Sequence, residues 1–168
     1  PYFQPSPDQL LRVGVALAFR RARLEHVYSI LRGKDLQTGE FSAERRDAQF
    51  ALLRKAQAYV LDLQHWHDFL NVLKRAGYLH PSLISSQTAL VYTYALWLIG
   101  KRDFGLDPHL LRDVMACWFF MASLTGRYTS SPESRMEQDL ALLRGCRESH
   151  EFVEALEQEM RAVLTPDY

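Results

Sequence analysis

Cysteine is scarce in this chain of 168 residues, which holds only Cys117 and Cys146. Two thiols cannot build the disulfide framework of a small secreted domain or a multi-cysteine zinc module, so a reducing, cytoplasmic setting is expected. Long apolar runs are missing too. Residues 81–100 carry no charge, but Ser82, Ser85, Ser86, Gln87, Thr88 and Thr93 interrupt them. The apolar part, residues 89–99, falls well short of the ~20 residues that span a bilayer, and no membrane partner is expected. The start lacks a charged-then-apolar signal pattern. It also lacks a methionine, and Pro1 reads as the first residue of a segment of a longer polypeptide. A surplus of either charge is absent, with 20 Lys+Arg against 20 Asp+Glu. What the chain does have is 48% hydrophobic residues, enough to bury a core and to exclude whole-chain disorder.

Strand signals are absent as well: no β-branched run alternates between turn residues. Helical spacing fills the space instead. Ser6-Pro7-Asp8-Gln9 predicts a capped start, and apolar residues then recur at helical intervals to Leu31, with Gly33 as the stop. Gly14 weakens the early turns of this helix, which is expected to be bent or shorter. Ser42 opens a second helix through Leu61, and a third covers residues 64–76 before Gly77. These two are read either as separate or as one bent helix. Ser85 or Ser86 caps a fourth, ending near Ile99 with Gly100 just past it. Asp107-Pro108 starts a fifth that runs to Thr125 before Gly126. Ser131-Pro132, or Ser130 with Glu133 as a capping box, starts a sixth that reaches Arg144. The seventh runs from Ser149 to Leu164 and is halted by Pro166. The expectation is an all-α, single-domain bundle of about six to seven helices over residues 1–168.

Two of these helices, around residues 89–99 and 110–124, are apolar nearly all round. A helix without a polar face must be surrounded, so the pair is expected at the centre. The aromatics Trp97, Trp118, Phe119 and Phe120 then read as core, and Cys117 as an inert thiol among apolar neighbours.

Catalytic signatures are lacking. There is no glycine-rich phosphate loop, no G-x-S-x-G elbow, no H-E-x-x-H and no Glu-x-x-His pair for a di-iron bundle. His65 and His67 sit two residues apart, which turns their rings to different helix faces, and neither has a third ligand in view. No metal, cofactor or catalytic residue is expected, and the segment reads as non-enzymatic. The most informative stretch is residues 125–133, TGRYTSSPE, between the most apolar helix and the next. Gly126 supplies a left-handed turn, and the following helix aims free N–H groups at a loop of hydroxyls with one arginine. There Arg127, Ser130 and Ser131 can hold a phosphate or sulfate. Alternatively, Arg127 caps the preceding helix or pairs with Glu133 or Asp139, while Tyr128 plugs the core. Sixteen of the twenty basic residues are arginine, and residues 1–84 hold 12 basic against 8 acidic. Arg20, Arg21, Arg23, Arg45 and Arg46 therefore read either as a diffuse DNA-facing surface or as a salt-bridged helix face. Tyr2 and Phe3, and the acidic series Glu148, Glu151, Glu154, Glu157 and Glu159, fit docking or solvation.

The string WFFMASLTGRYTSSPE at residues 118–133, followed by Asp139-Leu140, resembles the helical part of the large GmrSD-type family. So do FLNVLKRAGY at residues 69–78 and ISSQTAL at residues 84–90 with Tyr94. The resemblance covers residues 20–145, and within it Trp118, Gly126, Tyr128 and Asp139 form the structural motif. It implies a helical segment following a ParB-like domain with an Asp-Gly-Gln-Gln-Arg nucleotide-handling motif. An HNH nuclease domain often follows further along, in proteins that restrict modified or foreign DNA. This chain has neither of those motifs. The implied role is a helical accessory module of a DNA-defence protein. Its partners would be the upstream domain of the same polypeptide and possible DNA. The alternative is a ligand-free helical interaction domain.

Overall fold

In the computed structural model, which describes residues 3–35 and 37–164, the Ser6 hydroxyl accepts from Gln9 N at 3.2 Å while the Gln9 side chain accepts from Ser6 N at 2.9 Å. This reciprocal cap opens α1 (Pro7–Phe19). Tyr2 and Pro166 lie outside the described residues. The helix does not continue to Leu31 as its apolar spacing predicts. It stops at Arg20, which adopts a left-handed conformation at φ 54°, and the chain restarts as α2 (Leu24–Leu31). The break falls at Arg20 and not at Gly14. Its cause is a distant carboxylate: Glu137 accepts from Ala22 N at 2.7 Å and Arg23 N at 3.2 Å, satisfying donors that a continuous helix would have used.

After an isolated bridge between Lys34 and Phe41, α3 (Ala43–Val60) starts at Ser42 and α4 (Leu63–Arg75) at Asp62. The two are separate helices, because Asp62 accepts from Gln64 N at 2.8 Å and opens a new one. A 3₁₀ turn at Pro81–Leu83 precedes α5 (Gln87–Arg102), for which Ser86 is the cap, accepting from Ala89 N at 3.1 Å. Then come α6 (Pro108–Leu124), α7 (Pro132–Arg144) and α8 (Ser149–Val163). The described residues thus form eight α-helices in one all-α domain; the break at Arg20 raises the count above seven. None of these helices is long and apolar enough to cross a membrane.

Helix α5 is enclosed, as its lack of a polar face requires: every residue from Ala89 to Gly100 is buried. Gly100 does not end it. A β-carbon there would lie 2.6 Å from Leu111 and 3.0 Å from Phe152, so the glycine permits α6 and α8 to close on α5. Around this axis Trp66 stacks on Tyr94 at 3.7 Å, and both donate to the Val60 carbonyl at the end of α3, at 2.9 and 3.0 Å. Phe3, ahead of α1, packs against Trp66. Helix α6 departs from the expectation. Val114, Met115, Trp118, Phe119 and Met121 face inward, but Leu110, Cys117, Phe120 and Leu124 are exposed. It is wrapped by α4, α5 and α8 and leaves one strip open.

Candidate functional site

The corner between α6 and α7 is built as a turn over a buried polar knot. Gly126 takes φ +60°, reversing the chain so that Arg127 and Tyr128 point back into the bundle. There Asp139, fully buried on α7, accepts from Arg127 Nε at 3.1 Å, from Arg127 Nη2 at 2.5 Å and from the Tyr128 hydroxyl at 2.6 Å. Arg127 Nη2 also donates to Glu159 on α8 at 2.6 Å, and its guanidinium lies 5.0 Å over the Trp118 ring. Trp118 Nε1 in turn donates to the Tyr128 hydroxyl at 3.3 Å. Trp118, Gly126, Tyr128 and Asp139 are therefore brought together.

The electrostatics follow from burial against pairing. Burial opposes the charge on Arg127, but hydrogen bonds and attraction from Asp139 and then Glu159 outweigh it, holding the guanidinium pKa above its ordinary value. Burial, then the Asp139 charge, pushes the Tyr128 phenol far up, so it stays a donor. This geometry answers the alternatives for Arg127. It pairs with Asp139, and Glu133 is taken instead by Arg12 at 2.6 Å. The role assigned to Arg127 as an anion ligand is replaced by a structural one, because its fork is turned inward onto carboxylates. Ser130 and Ser131 stay exposed beside a polar recess of about 490 Å³ shared with Ser134 and Arg135. Ser131 precedes α7 with φ 51° and makes no side-chain cap.

The other arginines singled out from sequence do not form one surface. Arg45 bonds the Glu40 carbonyl at 3.2 Å and faces Asp35 at 3.7 Å; Arg46 pairs with Asp47 at 3.2 Å. Arg23 sits 3.8 Å from Glu25. Arg21 meets Glu137 at 2.6 Å, and Arg20 meets Asp103. Burial and the pull of its partners compete at Glu137: the Ala22 N–H, Arg21, the Arg23 N–H and Arg144 win and lower its pKa to about 2. At Arg20 burial prevails over Asp103 and, with Arg102 adding repulsion, lowers the guanidinium from its ordinary value.

Sequence reasoning missed two recesses. One is an apolar groove of about 630 Å³ along the open strip of α6, with Ala76 on one side and Met160 and Leu164 on the other. Cys117 and Phe120 line it, which corrects the reading of Phe120 as core and sets Cys117, expected as an inert thiol among apolar neighbours, on an exposed strip; the repeat of Leu110, Cys117 and Leu124 at seven-residue spacing was the available signal. The other, of about 440 Å³, is lined by Arg20, Arg102, Arg144 and Arg147, brought together by helix ends that no local pattern connects. His65 bonds the Tyr59 carbonyl at 2.9 Å while His67 is exposed, and no group of three or more His, Cys, Asp or Glu among the described residues is placed to hold a metal. Comparison with protein-family models, curated proteins and solved structures finds no match, so the likeness to the GmrSD-type family rests on the quoted residues alone.

Proposed function

We propose that this chain is a helical accessory module that packs against a nucleotide- or DNA-handling domain of its own polypeptide, with the catalytic chemistry outside residues 1–168. What carries the reading is the open strip of α6. Phe120, about half exposed at 48%, lines the groove walled by α4 and α8, and Leu124, 58% exposed, follows one turn further along α6. An apolar recess of this kind accepts the apolar face of a helix. Its rims carry opposite charges already paired, Arg75 with Asp113 at 2.9 Å and Arg161 with Glu157 at 3.2 Å. A docking helix therefore meets no net field at the edges, and burial of its apolar face supplies the affinity.

The resemblance to the GmrSD-type family supports the choice of occupant, since it places a ParB-like domain upstream. The cytoplasm is the setting that reading implies. Co-expression of residues 1–168 with the coding segment immediately upstream should give a pair that copurifies, and Phe120→Asp should break it without lowering the melting temperature. Absence of a pair, or a pair indifferent to Phe120→Asp, overturns the reading. A self-associating chain lost on the same substitution would show the strip to be a homodimer face instead.

A further inference from the structure

Four guanidinium groups line one recess where α1, α5 and α7 end, and a fifth, that of Arg21, lies outside the lining on Glu137. Arg20 is the left-handed residue that terminates α1, and Arg21 follows it. Arg102 is the last residue of α5, Arg144 the last of α7, and Arg147 lies in the turn before α8. Their fixation is specific. Arg20 Nη1 donates to the Leu17 carbonyl at 2.8 Å while its Nη2 reaches Asp103. Arg102 donates to the same Leu17 carbonyl at 3.0 Å and to Asp103 at 2.7 Å. Arg144 spans the Arg20 carbonyl at 3.3 Å and Glu137 at 3.0 Å. Arg147 is exposed, and its guanidinium is in none of the ion pairs formed among the described residues.

The charge does not cancel locally. Of the charged groups that line the recess, four are arginines and one is a carboxylate, Asp103; Glu137 lies outside the lining between Arg21 and Arg144, and Glu151 bonds the backbone N–H groups of Arg147 and Glu148 at 2.6 and 2.9 Å. The three helix C-termini add roughly half a negative charge each, and the start of α8 roughly half a positive one. These partial charges offset only part of the excess of lining arginines over the single lining carboxylate. A chain whose total charge is zero thus concentrates an excess of arginine at one place, with Arg20, Arg102 and Arg144 held by the fold and Arg147 at the open side. A recess of about 440 Å³ has room for a phosphate group with part of what carries it. Arginine's planar fork matches tetrahedral oxyanions, and a held fork loses little entropy on binding.

We infer that the recess formed by Arg20, Arg102, Arg144 and Arg147 is a binding site for a single phosphate group, carried either by a nucleic-acid backbone or by a small phosphorylated ligand. This site is lined by residues other than those of the α6 groove, and it stands or falls independently of the docking reading. Arg147 and the free side of Arg144 contact the ligand, while Asp103 and the Leu17 carbonyl position Arg20 and Arg102.

The test titrates the full chain at low ionic strength with two probes: inorganic phosphate followed by calorimetry, and a fluorescein-labelled DNA duplex followed by anisotropy. The expected result is saturable binding of at least one probe, weakened about tenfold by Arg147→Gln, as loss of one charge-assisted contact predicts, and unchanged by Arg161→Gln. Arg147→Gln carries the test because its side chain is in none of the ion pairs among the described residues; Arg144→Gln is the second variant, read only with an unchanged melting temperature. If the duplex binds and Arg147→Gln reduces the salt slope by about one, the phosphate belongs to a nucleic-acid backbone. If phosphate alone binds and the duplex does not, the ligand is small. Binding of neither probe, or binding that Arg147→Gln leaves unchanged, overturns the inference. Copurification with the upstream domain should be indifferent to Arg147→Gln, which separates failure here from failure of the docking proposal.

Discussion

Arg127 and Asp139 meet through two parallel hydrogen bonds, 3.1 Å from Nε and 2.5 Å from Nη2, in a place where both side chains are almost wholly removed from water. Two desolvated charges are costly, and their attraction repays the cost only when further hydrogen bonds support the pair. At Asp139 the Tyr128 hydroxyl supplies a third donor. The pair therefore acts as a latch that fixes the α6–α7 turn against α8 through Glu159. Asp139→Ala should destabilise the protein by about 3–5 kcal/mol, because it leaves Arg127 buried with one remaining carboxylate. Tyr128→Phe, which removes one donor and keeps the ring, should cost about 1–3 kcal/mol. Urea denaturation of both variants and the double variant checks this: the double variant should lose less than the sum, since the two residues share one network.

Glu137 plays the matching part at the α1–α2 break, and its titration gives a pH signature. Its pKa falls from an ordinary 4.5 to about 2 in the folded chain, so the folded state favours the carboxylate. The sign follows directly. The contribution is fully present above the unfolded value and is lost as the pH falls from there through the folded value. After allowance for partial solvent screening it is about 2 kcal/mol. Glu137→Gln should lower stability by this order at pH 7 and flatten the fall in stability between the two pKa values. Thermal melts of both proteins from neutral pH to about pH 2 measure the difference.

What the sequence disclosed and what it hid divide along the range of the forces. Ser6, Ser42, Ser86 and Asp107 cap helices with their own side chains over two or three residues, so those starts were readable. Trp118 as core, Tyr128 as a core plug and Asp139 as one of two partners for Arg127 were readable from the residues, whereas the contacts that join them, Trp118 to Tyr128 and Tyr128 to Asp139, come from the structure. The break at Arg20 was not. No glycine or proline marks it, and a left-handed arginine costs about 1–2 kcal/mol in isolation. Its compensation comes from Glu137, more than a hundred residues along the chain. The arginine recess was hidden for the same reason, since Arg20, Arg102 and Arg144 become neighbours only when three helices end together. Gly100 shows the converse: a glycine near a helix end suggests a terminus, whereas here it serves contact between helices.

That contact is open to test. Gly100→Ala improves local helix propensity by roughly 1 kcal/mol, yet its β-carbon would press on Leu111 and on the Phe152 ring. Overpacking of a filled core costs about 1–3 kcal/mol, so the sum should be destabilising or close to neutral and never a full gain. A melting temperature clearly above that of the parent would mean that α6 and α8 yield easily, and that the close approach is not constrained.

The two thiols should differ in reactivity, and the difference reports on the groove. Cys117 is exposed on the open strip of α6. Cys146 is partly covered, its thiol donates to the Leu142 carbonyl at 3.4 Å, and burial followed by the nearby Glu151 charge raises its pKa. Since the thiolate is the reactive form, a disulfide reagent at pH 8 should modify Cys117 in the folded chain well before Cys146. Cys146→Ser should leave the fast phase intact and Cys117→Ser should abolish it. The same assay reads docking. When the upstream domain fills the groove, the fast phase should slow at least tenfold, because its target lies on the groove floor. A Cys117 that reacts equally fast in the complex would place the partner on some other face.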